Sequence, residues 1–368
     1  MVIMALWEEE KSHKGVVLAS AISLPEPGGV SNYVDVLSKE PFVSKVITFN
    51  FKDPFNSFKQ SKFYYLKRIY AKSTKLSFFL RILIMSYFLR KSKGAIYAMD
   101  ASISGLAAFL SGRKYFIRWV GDFSYESYYT HKIFAETLEE YLKRRKDWKY
   151  YLQKVVLMRA SAIIVPSLYL RKILIHYYHI PPKNIYVISN FSFFSNREAL
   201  KRKPKTLVFV GRMTALKQPH FMLYLAMSFR NKLNVYFIGA GPLESILIKF
   251  IKKFRLNNAK FLGYKSKREM RKYLKDALAV VIPSVYEGQS FTALEMQSLG
   301  IPVIMRNLEA NQELLGSKYA CFFDDLRKCK ELIKELLSGS LLCTYNVNWE
   351  NYSYRKHVKK LKEVLKVF

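Results

Sequence analysis

Short apolar, β-branched runs alternate along the chain with longer segments whose apolar residues recur at helical spacing. The first set of runs is Val16–Ser20, Lys45–Phe49, Ala95–Met99, Tyr115–Val120, Ala162–Pro166 and Ile185–Ile188. The second is Leu207–Val210, Val235–Ile238, Lys260–Leu262, Ala279–Pro283 and Pro302–Met305. Runs that are apolar on both faces are the mark of parallel strands covered by helices. Helices are predicted over Val30–Ser38, Leu168–Tyr178, Gln218–Phe229, Leu243–Phe254 and Ala293–Leu299, with a basic amphipathic helix over Trp349–Phe368. The alternation stops at Asn190 and restarts at Leu207. The polar, basic stretch between them, Phe191–Lys205, reads as a linker. The predicted fold is α/β: two Rossmann-like domains, residues 1–195 and 206–345, facing each other across a cleft, with a C-terminal helix in 346–368 returning to the first. Ligands of such sheets sit beyond the carboxyl ends of the strands, so the cleft is the expected site.

Composition supports two buried cores and excludes a disordered chain: half of the 368 residues are hydrophobic and 15% are aromatic. Charge narrows the partners. With 61 Lys+Arg against 28 Asp+Glu, the formal net charge of +33 attracts nucleic acid, acidic lipid headgroups or sugar-diphosphate ligands. Charge alone does not choose among these, and genome bias or thermal adaptation also enriches lysine. Cys321, Cys329 and Cys343 have no repeated short spacing, so they read as packing thiols in a reducing compartment rather than a disulfide framework or zinc site. The six histidines form no metal-ligand spacing. Met1–Lys14, with Glu8-Glu9-Glu10, does not read as a signal peptide. The longest apolar stretch, Leu76–Leu89, is interrupted by Arg81, so no transmembrane helix is expected. The expected location is cytoplasmic, or peripheral on the cytoplasmic face of the membrane.

Three motifs carry chemistry. Gly211-Arg212-Met213-Thr214-Ala215-Leu216-Lys217-Gln218 follows the run Leu207–Val210. Its glycine permits a sharp turn, and its two cations suit a diphosphate; alone, they are equally two solvated surface charges. Gly239-Ala240-Gly241-Pro242 ends another strand and reads as a tight turn into a helix, without the third glycine of a dinucleotide fingerprint. Pro283 to Glu295 is the most informative. Glu287 lies just past a strand, Glu295 lies in the following helix, and Gly288–Thr292 offers helix N-terminal amides to an anion. Each acid alone reads equally as a turn or helix-start carboxylate.

The order G-R-x₄-K, G-x-G-P, then Glu287-Gly288, Leu294-Glu295, Gly300 and Pro302-Val303-Ile304 resembles the retaining family-4 glycosyltransferases of GT-B fold. The resemblance implies a hexosyltransferase that uses a nucleoside diphosphate sugar, UDP- or GDP-linked, with no cofactor and no metal. It implies that Arg212 and Lys217 neutralise the donor diphosphate, Glu295 holds the ribose and Glu287 contacts the transferred sugar. It further implies that amides near Phe291 and Thr292 meet phosphate, and that Gly211, Gly241 and Pro242 shape the nucleoside side. In the first domain, Pro27-Gly28-Gly29-Val30 resembles the family's first glycine loop, and Asp100 with Ser104-Gly105 its second. Many members carry a histidine near the end of the strand that here reads Arg118-Trp119-Val120-Gly121-Asp122. Asp122 is the remaining candidate, either contacting sugar or acceptor or capping a loop. Gln289 and Ser290 replace the commoner aromatic and glycine of the donor loop.

Residues 59–93 hold ten Lys/Arg and no Asp or Glu, interleaved with aromatics. A basic amphipathic helix there suits an anionic membrane surface and a lipid-linked acceptor; an ordinary solvated helix face is the plainer alternative. The expected partners are the nucleotide-sugar donor, a glycan or lipid-linked acceptor and such a surface. A basic nucleic-acid-binding α/β protein would explain the charge but not the ordered motifs. A GT-B-type epimerase or phosphorylase would share the donor motifs.

Overall fold

The computed structural model describes residues 15–23, 28–50, 62–67, 74–192, 205–275, 277–316, 319, 321–341 and 349–366. The glutamates at 8–10, Pro27, Cys343 and most of the expected linker (193–204) lie outside them, as do 59–61 and 68–73 of the basic segment.

The strands are β1 (Val16–Ser20), β2 (Val43–Asn50), β3 (Phe63–Lys67), β4 (Ala95–Ala98), β5 (Tyr115–Arg118), β6 (Ala162–Val165), β7 (Ile185–Val187), β8 (Thr206–Val210), β9 (Asn234–Ile238), β10 (Ala259–Gly263), β11 (Ala277–Ile282), β12 (Val303–Arg306) and β13 (Phe322–Phe323). The helices are α1 (Gly29–Ser38), α2 (Thr74–Lys91), α3 (Ile103–Leu110), α4 (Phe123–Tyr129), α5 (Leu138–Arg144), α6 (Trp148–Arg159), α7 (Leu168–Tyr178), α8 (Phe221–Ser228), α9 (Glu244–Lys253), α10 (Lys267–Leu274), α11 (Phe291–Ser298), α12 (Glu309–Leu315), α13 (Leu326–Ser338) and α14 (Tyr354–Leu365).

The strands form two sheets, ordered β3-β2-β1-β4-β5-β6-β7 and β10-β9-β8-β11-β12-β13. Both follow the doubly wound order, outward from the first strand one way and then back the other. The pairings β1–β2, β1–β4, β8–β9 and β8–β11 are all parallel. Every residue of β1, β6 and β11 is buried, which is why these strands read as unbroken apolar runs. Two compact units result. One comprises Met1–Trp119, Val155–Ile163 and Lys362–Phe368; the other comprises Val120–Lys154 and Ile164–Leu361.

In the second unit the pleat of the sheet sorts its side chains into two cores. Leu207, Phe209, Ala279 and Val281 pack with Met222 of α8, Leu247 of α9 and Ile333 of α13. Their neighbours Val208, Val280 and Ile282 pack with Leu274 of α10, Leu294 of α11 and Leu314 of α12. This alternation of period two puts helices on both faces and leaves the strand ends for the loops. The order of this sheet reverses between β8 and β11, and the two main motifs leave these adjacent strands at their carboxyl ends.

Several elements differ from the sequence reading. The predicted helix over Gln218–Phe229 starts three residues later, at Phe221, because Gln218 is left-handed (φ 50°) and ends a 3-10 turn over Ala215–Lys217. The expected C-terminal helix is divided: a 3-10 turn over Trp349–Tyr352 precedes α14, whose start is capped by Ser353 Oγ accepting from Lys356 N at 3.3 Å. Part of the basic segment is not helical. Phe63–Lys67 is a strand in parallel register with Val46–Asn50, as its aromatic run favours. Cys329 is a buried free thiol as expected, whereas Cys321 is disulfide-bonded, against the reading of all three cysteines as packing thiols.

Candidate functional site

The loop after β8 is fixed to the loop after β9 by backbone alone. Met213 N donates to Ala240 O at 2.9 Å, and Leu243 N donates to Met213 O at 3.0 Å. A Cβ on Gly241 would lie 2.7 Å from both the N and the O of Met213. Neither atom can yield without breaking the lacing, so this glycine is required by close backbone approach. Gly241→Ala is expected to lower stability by about 3 kcal/mol, read as a fall in denaturant midpoint at unchanged slope.

The same loop is tied to the segment after β11. Val285 N donates to Leu216 O at 3.0 Å, and the Lys217 ammonium lies 2.6 Å from Glu287 Oε1. Glu287 is buried and Lys217 only partly exposed, so the pair is held in one place rather than exchanging with water. Arg212 differs: its guanidinium is exposed and 3.8 Å from Glu126, a separation that contributes little to stability.

Beyond Glu287 the chain makes a close turn. A Cβ on Gly288 would meet Leu170 Cδ1 at 2.8 Å and Val120 O at 3.0 Å. Gln289 and Ser290, the two departures from the commoner donor loop, each have a defined task. Gln289 accepts from Asn190 N through its side chain and from Asn190 Nδ2 through its carbonyl, fixing the loop's path. Ser290 caps α11, its Oγ accepting from Ala293 N at 3.3 Å. Phe291 and Thr292 form the first turn of this helix. Glu295 lies one turn further on, buried, with the Lys267 ammonium at 3.1 Å. Burial raises the Glu295 pKa above the ordinary glutamate value, and Lys267 pulls it partly back. Pro242 is exposed at the turn into α9.

Glu287 also lines a cleft of about 340 Å³ with Tyr169, Glu139 and Glu309. Arg212, Lys217 and Glu295 are absent from its walls. With four glutamates and one lysine among its lining residues it repels anions, so a diphosphate belongs on the Arg212–Lys217 side of Glu287.

Asp122 takes the second of its two alternatives: it caps a helix. It is fully buried at the start of α4, and Oδ1 accepts from Tyr125 N at 2.9 Å. Oδ2 accepts from the Tyr178 hydroxyl and from Gln153 Nε2 at 3.1 Å. Burial raises its pKa, and these hydrogen bonds oppose the rise. Two residues the motif reading missed stand nearer the motifs. Glu126 is the acid beside Arg212, and its Oε1 fills the space a side chain at Gly121 would take, 1.9 Å from a Cβ built there. Lys267 is the partner of Glu295. Neither sits in a motif, and each is brought in by the fold from a different helix start. Gly28 and Gly29 belong to the other unit: Gly28 precedes α1 and its carbonyl accepts from Asn32 N at 3.2 Å.

Two family profiles match adjoining parts of the chain: "Glycosyltransferase Family 4" over residues 122–191 and "Glycosyl transferases group 1" over 190–356. The chain belongs to this family. Among curated glycosyltransferases it is 28% identical over 114 residues to an uncharacterized glycosyltransferase of Methanocaldococcus jannaschii, covering 30% of this chain and 29% of that one. It is 28% identical over 184 residues to the UDP-Gal:alpha-D-GlcNAc-diphosphoundecaprenol alpha-1,3-galactosyltransferase of Escherichia coli, covering 45% and 46%. The matched stretches thus span less than half of either relative. Among solved structures, sucrose-phosphate synthase of Thermosynechococcus elongatus superposes with a TM-score of 0.75 at 14% identity, covering 96% of this chain and 98% of that one. Anabaena HepE in complex with UDP and glucose gives 0.71 at 14% identity, covering 97% and 100%. At such identity these likenesses establish the fold, which is the GT-B fold of glycosyltransferases. In this glycosyltransferase chain, Glu287 and Glu295 leave the second sheet just beyond β11, each with a lysine from elsewhere in the same unit.

Proposed function

We propose that the chain transfers a hexosyl group from a UDP- or GDP-linked sugar to an acceptor hydroxyl, with retention at the anomeric carbon and without a bound metal. The observation that carries this reading is the pair of lysine–glutamate contacts, Lys217–Glu287 and Lys267–Glu295, at loops leaving the carboxyl ends of adjacent parallel strands. Arg212 and Lys217 meet the charge that develops on the leaving diphosphate, and the first turn of α11 adds amides and the helix dipole. Glu295 accepts from the ribose hydroxyls and Glu287 from those of the sugar. Gly211 and Gly241 hold their loops close enough for the nucleoside. Gly28 and Gly29 offer backbone to the phosphates, and Asp122 positions the start of α4. The anomeric carbon–phosphate oxygen bond breaks as the carbon–acceptor oxygen bond forms, and a donor phosphate oxygen takes the acceptor's proton. Metal independence is supported by the positive charge that Arg212, Lys217 and the helix start already supply. Anabaena HepE, solved with UDP and glucose, supports a nucleotide donor. The diphosphoundecaprenol named for the E. coli relative supports a lipid-linked acceptor, with a free glycan as the other class.

The test is incubation with UDP- and GDP-sugars and a panel of lipid-linked and free glycan acceptors in EDTA, with the anomeric proton followed by NMR. An α-configured donor is expected to give an α-linked product at a rate that chelation leaves unchanged. A β-linked product, or activity lost with EDTA and regained with a divalent ion, would contradict the mechanism. Donor isomerised without acceptor would indicate an epimerase.

The buried Glu295 adds a pH dependence. It accepts from the ribose only when ionised, so donor affinity is expected to fall with decreasing pH, starting above the ordinary glutamate range. Lys267 lowers the Glu295 pKa, so Lys267→Met moves this acid limb to still higher pH, whereas Lys267→Arg keeps it near the wild-type position. Donor titrations across pH measure both limbs. Superimposable limbs in wild type and Lys267→Met would remove Lys267 from the site.

A further inference from the structure

Helix α2 is not the amphipathic helix that its charge run predicts. Its apolar side chains lie on all sides. Ile82, Met85 and Leu89 are buried, yet Leu76, Phe79, Leu83 and Tyr87 are 52%, 48%, 56% and 54% exposed. These four recur at steps of three and four residues, so they form one continuous stripe on the helix. Single exposed apolar residues are ordinary, but a row of four large ones along one helix marks a docking surface.

Its charge identifies the occupant. Lys75 at one end and Arg90, Lys91 and Lys93 at the other are exposed, and the Lys91 ammonium lies 5.1 Å over the Tyr87 ring. Residues 59–93 contain no acid that would pair with a basic partner or repel an anionic one. An apolar row with cations at its ends and a tyrosine beside one of them fits the boundary between acyl chains and anionic headgroups. Eighteen residues at about 1.5 Å each make a helix of about 27 Å. Among the described residues no helix is long and apolar enough to cross a membrane. We infer that α2 lies flat on an anionic bilayer, with Leu76, Phe79 and Leu83 among the acyl chains and the cations at the phosphates.

The probe is sedimentation of the full chain with vesicles of phosphatidylcholine mixed with phosphatidylglycerol, and with phosphatidylcholine alone. The comparison variant is Leu76→Ser, Phe79→Ser, Leu83→Ser. These positions are exposed, so the variant is expected to keep the wild-type circular dichroism and melting temperature. Wild type is expected to bind the mixed vesicles, to release as salt is raised and to bind phosphatidylcholine at least about tenfold more weakly. The variant is expected to lose about tenfold or more in affinity for the mixed vesicles. Equal binding by a folded variant would overturn the inference, as would failure of the wild type to bind either vesicle or indifference to lipid charge. A wild-type dimer that the variant abolishes would also overturn it, because a second copy would then be the occupant.

Discussion

Lys217→Ala is expected to lower kcat by about a thousandfold while the chain stays folded. In the resting protein the Lys217 ammonium is held 2.6 Å from Glu287, at the loop that leaves the strand beside β11. A cation fixed before the donor arrives needs no reorganisation as charge moves onto the leaving diphosphate, and removing one such group costs on the order of a hundred- to a thousandfold. The substitution also strips a buried carboxylate of its partner, which costs up to about 3 kcal/mol of stability because Lys217 is itself partly solvated. The double variant Lys217→Ala, Glu287→Gln separates the effects. Its melting temperature is expected to recover while turnover stays low. Recovery of both would show that the single variant failed by instability.

Glu295→Ala is expected to lower kcat/KM for the donor by about a hundredfold, mostly through KM. A carboxylate accepting from hydroxyls contributes about 1.5–3 kcal/mol per hydrogen bond, and its loss leaves Lys267 without its partner. Glu295→Gln is expected to fall between wild type and alanine, since the amide still accepts one hydrogen bond. Wild-type kcat/KM in both variants would remove Glu295 from the donor site.

The architecture was readable because parallel strands are buried on both faces. The runs Val16–Ser20 and Leu207–Val210 needed no partner information to be recognised. What escaped the sequence depends on contacts distant along the chain. Phe63–Lys67 sits in a charge run that reads as helix, and only its pairing with Val46–Asn50 makes it a strand. The stripe on α2 escaped because a helix apolar all round does not reveal which side its neighbours cover. In the site, the glycines and acids of the motifs were visible as motifs because they are local. Lys267 and Glu126 were not, because each is an ordinary charged residue at a helix start until folding sets it beside Glu295 or Arg212. Asp122 was correctly noticed, and its geometry is that of a helix cap: the burial and the Tyr178 and Gln153 hydrogen bonds that show this come from elements the sequence does not connect.

The most direct test is the melting temperature with saturating UDP and GDP, for wild type, Lys217→Ala and Glu295→Ala. Ligand that binds only the folded state stabilises it by about 2.7 kcal/mol at a hundred times its Kd. One of the two nucleotides is expected to raise the wild-type melting temperature, with the rise nearly absent in both variants. No rise with either nucleotide, or an equal rise in all three proteins, would contradict a donor site at Lys217 and Glu295.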